Sequence, residues 1–302
     1  MQHATLGIVG DGGLNAMQIN SIAAVNGFEL KGIFNPYGEG SAENSKLFDQ
    51  FTHYKSLQEM LLDVEAIDIL THQASNYKFY LDALRNGKHL IFPKNLALSK
   101  QESDTLIKTA YESGSKLQVS NPHNFYHHVQ HIATSQKKPN YIEIVRHDMN
   151  NNMSLWEKLL NDIDAVLHLV KSNIKQVQSN GIKFSENEVD LVKARLEFDN
   201  GCVVQLSYNH IAEKEQHYLQ CYYPEGYVIL DLNNFKSKSF EIKEGKVLEQ
   251  ISNKNKSLNF DHSKELHSFA HSILFDKPIY YTFEEAVNAI KVAALIAEKL
   301  YL

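Results

Sequence analysis

An α/β domain followed by an α+β domain is the fold class that the sequence predicts, and three observations predict it. Short apolar runs alternate with helical patterns through the first 120 residues. Period-two runs separated by turn residues dominate after about residue 170, and a glycine-rich turn joins the first strand pattern to the first helix pattern. Strict alternation of strand and helix implies a parallel sheet covered on both faces by right-handed crossovers. Period-two runs joined by short turns imply antiparallel hairpins in a large, mostly antiparallel open sheet. A chain of 302 residues is long enough for two separate cores. The expected division is 1–121 and 122–302, with the C-terminal helix packing back on the first domain.

Taken in order, Thr5-Leu6-Gly7-Ile8-Val9-Gly10 reads as a buried strand ending in glycine, followed by a helix over 16–25 and a strand over 29–34. Helices are expected near 42–51 and 56–62, a strand at 66–70 and an amphipathic helix at 77–86. A strand at 89–92, a helix at 100–113 and a strand at 116–120 complete the first domain. In the second, a helix over 156–170 precedes strands at 189–198, 202–209, 216–223, 227–232 and 239–242. Asp199-Asn200-Gly201 and Pro224-Glu225-Gly226 supply turns, and 253–256 reads as a short polar loop. Helices over 262–274 and 282–301 close the chain.

Composition narrows the class of function. Hydrophobic residues make up 43% and charged residues 22%, ordinary for a globular protein. A net charge of -6 offers no overall attraction to nucleic acid or to an anionic membrane. No apolar run approaches the ~20 residues that span a bilayer, and the N-terminus lacks the pattern of a signal peptide. The two cysteines, Cys202 and Cys221, form no CxxC pair, and Cys202 sits in a strand-like run where a thiol serves as a small apolar side chain. A cytoplasmic protein acting on a small molecule is the expectation.

Gly10-Asp11-Gly12-Gly13-Leu14-Asn15 lies between the first strand and the first helix. There the first glycine permits a tight turn and the second lets the backbone approach a pyrophosphate. The helix N-terminus then offers free N–H groups and a favourable dipole. This is the dinucleotide signature of a Rossmann domain, incomplete because Asn15 holds the third glycine position. At the end of the second strand, where an acidic residue usually meets the adenosine ribose, stands Asn35. No arginine beside it is available for a 2′-phosphate, which favours NAD over NADP as the cofactor. The competing reading is that Asn35-Pro36-Tyr37-Gly38 is only a turn.

The run Asp68-Ile69-Leu70-Thr71-His72, then Ala83-Leu84-Arg85-Asn86-Gly87-Lys88-His89-Leu90-Ile91-Phe92-Pro93-Lys94-Asn95-Leu96-Ala97-Leu98-Ser99, resembles the Gfo/Idh/MocA family of oxidoreductases. Its members carry a strand ending in Thr-Pro, then A-L-x-x-G-K-H-V and E-K-P-L-A-L-T. The stretch 194–203 resembles that family's central hairpin, and His267-Ser268-Phe269, Lys277-Pro278 and 283–297 resemble its closing helices. The resemblance implies hydride transfer between a nicotinamide cofactor, NAD or NADP, and a secondary alcohol of a sugar or polyol. It also implies a homodimer formed through the sheet of the second domain.

Carried over residue by residue, Lys94 matches the acid/base or orienting lysine, but Pro93 and Asn95 replace its Glu and Pro neighbours. The family's D-x-x-x-H stretch falls on Glu157 and Asn161, with Asp164 following as a further pocket residue. Asn161 can bond a hydroxyl but cannot exchange a proton near neutral pH. Thr71 and His72 replace Thr-Pro, Asn76 replaces a frequent histidine, and Gln18 replaces another. His72, at a strand end where α/β sheets bind ligands, is a candidate proton-transfer group beside Lys94; the alternative is a side chain packed next to the cofactor. His123 or Asn124 is a candidate for the substrate cleft. His123, His127 and His131 recur every four residues, with His128 adjacent, but a polar helix surface is the favoured reading and no metal is assigned.

Two functions are therefore in contention. One is an NAD(P)-dependent oxidoreductase of a sugar, polyol or sugar-derived alcohol. The other is a catalytically silent relative that binds a dinucleotide or sugar ligand as a sensor or partner subunit, and beside both stands a purely structural dimeric module that has lost cofactor binding.

Overall fold

The computed structural model describes residues 2–10, 22–36, 51–70, 77–93, 98–120, 132, 138–148, 155–184, 189–234, 236–254 and 262–300. Two compact units emerge, one comprising Met1–Pro122 with Phe260–Val287 and the other His123–Asn259 with Asn288–Leu302. Among the described residues no helix is long and apolar enough to cross a membrane.

The first unit is built on six parallel strands: β1 (Ala4–Val9), β2 (Phe28–Phe34), β3 (Thr52–Tyr54), β4 (Ala66–Ile69), β5 (His89–Phe92) and β6 (Leu117–Val119). Their order is β3-β2-β1-β4-β5-β6. The central strands β1, β4 and β5 read as mostly apolar runs because both faces are covered, and β4 is buried at all four positions. The helices are α1 (Leu57–Asp63), α2 (Tyr77–Arg85), α3 (Lys100–Ser113) and α5 (His262–Leu274), the last numbered after α4 (Leu155–Val170) of the other unit. On one side, Leu6, Ile8, Ile33 and Ile91 share a core with Leu266, Phe269 and Ala270 of α5. Gly7 leaves room for α1, since a Cβ there would lie 3.0 Å from Met60 Sδ. Local sequence sets the ends of α3: Ser99 and Glu102 form a reciprocal capping box, and Gly114 closes the helix at φ 68°.

The second unit is an eight-stranded sheet of β7 (Tyr141–His147), β8 (Ile174–Ile182), β9 (Leu191–Phe198), β10 (Val203–Asn209), β11 (Gln216–Tyr223), β12 (Gly226–Asp231), β13 (Lys236–Lys243) and β14 (Lys246–Lys254). The order is β14-β13-β12-β11-β7-β10-β9-β8, antiparallel throughout except where β7 and β10 run parallel. Alternate residues such as Ile142, Ile144, Leu196, Val204 and Leu219 form a core with Leu159, Ile163 and Val166 of α4. Val292 and Ile296, from the C-terminal part of α6 (Phe283–Lys299), join that core. On the opposite face, Tyr141, Tyr222, Tyr227 and Phe240 make a ladder across four strands, with ring centroids 5.7, 5.5 and 4.5 Å apart. One expectation is corrected here: Asn253 and Lys254 belong to β14 rather than to a loop, because they pair with Ser237 and Lys236.

Candidate functional site

In the first unit the candidate site is the C-terminal edge of the parallel sheet. The order of strand addition reverses between β1 and β4, which are themselves parallel: successive strands step outward from β1 through β2 to β3 on one side, and from β4 through β5 to β6 on the other. Such a switch point leaves a crevice beyond the strand ends, where doubly wound folds bind ligands. Gly10 stands at its rim, its N–H donating to Phe34 O at 3.1 Å, and Leu70 N donates to Val9 O at 2.8 Å. The register therefore places Gly10 beside the end of β2, which Asn35 follows directly. Of the residues singled out for the cofactor, Gly10 and Asn35 are described. Gly12, Gly13, Leu14, Asn15, Thr71, His72 and Lys94 lie outside the described residues.

One group at this edge escaped the sequence reading. Ser120 follows β6 and donates its N–H to Phe92 O at 2.7 Å, while its Oγ donates to Glu265 Oε2 at 2.8 Å. Glu265 is a nearly buried carboxylate on α5. Burial first, and then this carboxylate, raise the Tyr280 phenol above its usual range. A Glu in a predicted closing helix carries no signal of this placement.

In the second unit the relevant element is α4. Glu157, Asn161 and Asp164 recur at i, i+4 and i+7 and so share one stripe, as the spacing predicts. Asn161 and Asp164 are buried, at 7% and 4% exposure. Round the helix, on the side that meets the sheet, sits a polar cluster that the sequence reading missed. Asp162, wholly buried, accepts from Tyr208 Oη and bonds His217 Nε2 at 2.9 Å. Arg146 Nη1 lies 3.7 Å from the same carboxylate. Lys158 Nζ pairs with Asp148 at 2.6 Å, and Arg146 Nη1 also donates to Lys158 O at 3.4 Å. Burial alone would push the Asp162 carboxyl up, but His217, Arg146 and Tyr208 together outweigh it and hold the group below its ordinary value.

His123, Asn124, His127, His128 and His131 lie outside the described residues. Among the described residues no group of three or more His, Cys, Asp or Glu side chains could hold a metal. Both cysteines are buried, and burial raises Cys202 to about 11 and Cys221 to about 12, as expected of thiols that serve as packing.

A parallel sheet with Gly10 at its switch point, in one chain with an α/β unit on an open sheet, fits the class of two-domain NAD-binding oxidoreductases that the family models define. Residues 4–121 match the family model described as an oxidoreductase family with an NAD-binding Rossmann fold. Residues 146–300 match the companion C-terminal alpha/beta domain. The chain belongs to the Gfo/Idh/MocA family. It is 23% identical over 241 residues to UDP-N-acetylglucosamine 3-dehydrogenase of Acidithiobacillus ferrooxidans, covering 78% of this chain and 76% of that protein. A solved structure of that enzyme superposes with a TM-score of 0.80 at 19% identity, covering 99% of this chain and 98% of the other. An NAD-binding protein from Listeria innocua gives 0.74 at 19% identity, covering 99% and 95%. Biliverdin reductase of Synechocystis sp. PCC 6803, solved with biliverdin and NADP+, gives 0.71 at 17% identity, covering 99% of each chain. At these identities the shared property is the fold.

Proposed function

We propose that this chain is an NAD(P)-dependent dehydrogenase that moves a hydride between a nicotinamide and a secondary alcohol on a sugar or sugar-derived substrate. A UDP-linked amino sugar is the first candidate, on the strength of the similarity to UDP-N-acetylglucosamine 3-dehydrogenase. The observation that carries the reading is Gly10 at the switch point, followed in sequence by Gly12 and Gly13. A glycine-rich turn opening a helix at that place fits a dinucleotide, whose pyrophosphate needs close backbone approach and free N–H groups. When bound, the nicotinamide supplies the hydride acceptor or donor.

The chain's own residues would then bind, orient and handle the proton. Lys94 bonds the substrate oxygen and exchanges its proton, because Asn161, in the usual histidine's place, has an amide that does neither acid nor base work near neutral pH. Asn161 and Asp164, with Glu157, His123 and Asn124, meet the substrate in this reading, whereas Thr71 and His72 meet the cofactor. A homodimer through the sheet face that carries the Tyr141–Phe240 ladder, and a cytoplasmic location, belong to the same reading. Light scattering on the purified protein checks the first.

A second reading is favoured by two observations. Asn161 is buried at 7% exposure, and Pro93 and Asn95 flank Lys94 where the family has Glu and Pro. That pattern fits a relative that binds its ligand without turnover. Titration with NADH and NADPH, read by nicotinamide and Trp156 fluorescence, followed by an alcohol screen, separates the two. Binding with turnover supports the dehydrogenase, binding without turnover supports a silent relative that keeps the dinucleotide, and no binding removes the dehydrogenase and supports a silent relative that has lost it.

Asn35 provides a sharper check on cofactor placement. Asn35→Asp puts a carboxylate where the adenosine ribose is expected, so NADPH should weaken relative to NADH by about tenfold or more through repulsion of its 2′-phosphate. Equal changes for both cofactors would show that the end of β2 does not hold that ribose.

A further inference from the structure

We infer that the buried Asp162–Tyr208–His217–Arg146 cluster is a positioning device that fixes the rotation of α4 and thereby aims its Glu157–Asn161–Asp164 stripe. That the stripe meets substrate rests on the function proposed above; the cluster itself is seen directly. Three adjacent strands present the partners side by side: Arg146 on β7 is in register with Tyr208 on β10 and with His217 on β11. All three converge on one carboxylate, Asp162, which has no exposed surface. One turn earlier, Lys158 is tied to Asp148 just beyond the end of β7.

Apolar packing would hold α4 to the sheet at least as firmly, because a buried ionic group seldom adds stability over well-packed hydrocarbon. What hydrogen bonds to a single carboxylate add is direction. At about 100° per residue, the 157–161–164 stripe spans roughly 60°, and Lys158 and Asp162 lie about 110° round the helix from it. Side-chain tips stand about 5–6 Å from the axis, so a rotation of about 20° shifts the stripe by about 2 Å. A misplacement of about 1 Å is enough to cost on the order of 10²-fold in rate. A helix with polar anchors on one side and a polar stripe on the next can neither roll nor slide without breaking the anchors.

The test compares Tyr208→Phe and His217→Ala with His217→Gln, which keeps an N–H donor for Asp162. Ser179→Ala, which removes the 2.8 Å bond to Ile296 O elsewhere in the same unit, controls for general destabilisation. The readouts are amide hydrogen exchange along α4 and the Asn161 side-chain amide resonance, neither of which needs substrate. Tyr208→Phe and His217→Ala are expected to accelerate exchange over 157–164 at least about tenfold more than over β9, and to move the Asn161 signal. His217→Gln should restore most of both, and Ser179→Ala should do neither. Uniform acceleration across the unit, or an unmoved Asn161 signal, would overturn the inference and leave the cluster as plain stabilisation. With an active substrate in hand, kcat/KM should fall about 10- to 100-fold in the first two variants. An unchanged kcat/KM alongside altered exchange would refute the link to substrate. Failure to bind either nicotinamide cofactor would instead count against the proposed function and leave the exchange result standing.

Discussion

Lys94→Ala is expected to lower turnover by about 10²–10⁴-fold, to background, while the variant melts as the wild type does. The lysine follows Phe92 by two positions at the C-terminal end of β5, the edge at which doubly wound sheets do chemistry. In the proposed mechanism the amine exchanges a proton with the substrate oxygen, and the Asn161 amide has no titratable group to take its place. Initial rates from nicotinamide absorbance and a thermal melt on the same preparation check both halves. A rate that survives would transfer the proton to another group, with His72 the first to replace.

Asp162→Ala should destabilise the second unit by about 3–5 kcal/mol, since it removes the buried carboxylate that Tyr208 and His217 bond and that lies nearer to Arg146 than Asp148 does. The dependence on pH has a definite sign. The folded carboxyl is held below its unfolded value, so the stabilisation is complete above about pH 4 and is lost as pH falls through the folded value. Urea denaturation at neutral pH and at a series of pH values below 4 measures this. The gap between wild type and variant should be widest near neutrality and should close in acid. A gap that stays constant would mean that the carboxyl's charge is irrelevant and only its shape matters.

The sequence made the parallel half legible because burial on both faces writes strands as mostly apolar runs, as in β1, interrupted by Thr5, and β4, interrupted by Asp68. It concealed the strands that pack on little. β3 is three residues long with two exposed, and is held by close approach to β2: a Cβ on Gly32 would lie 2.2 Å from Thr52 O. β8 and β14 are the outer strands of the large sheet, where polar side chains are the normal protection of an edge. β7 carries Ile142 and Ile144 in alternation but ends in Arg146 and His147, which disguise its last turn of pleat. Glu157, Asn161 and Asp164 were legible through the family resemblance, and their spacing of four and three sets them on one stripe of α4. The anchoring cluster was not, because Tyr208 and His217 lie 46 and 55 residues from Asp162 and only register brings them together. The one visible hint was Lys158 and Asp162 interrupting an apolar face at a spacing of four.

The wall that α5 provides to the parallel sheet has a consequence for how the protein is made. Leu266, Phe269 and Ala270 complete the core around Ile8, Ile33 and Ile91, yet α5 follows β6 by nearly half the length of the chain. At roughly 5–20 residues per second, translation takes on the order of ten seconds to travel from β6 to that helix. Throughout that interval the nascent nucleotide-binding half displays an uncovered apolar flank, the kind of surface that holding chaperones recognise. A gene fragment stopped after Pro122 makes that interval permanent, so the dinucleotide half has to be produced with its distant C-terminal helix spliced back on.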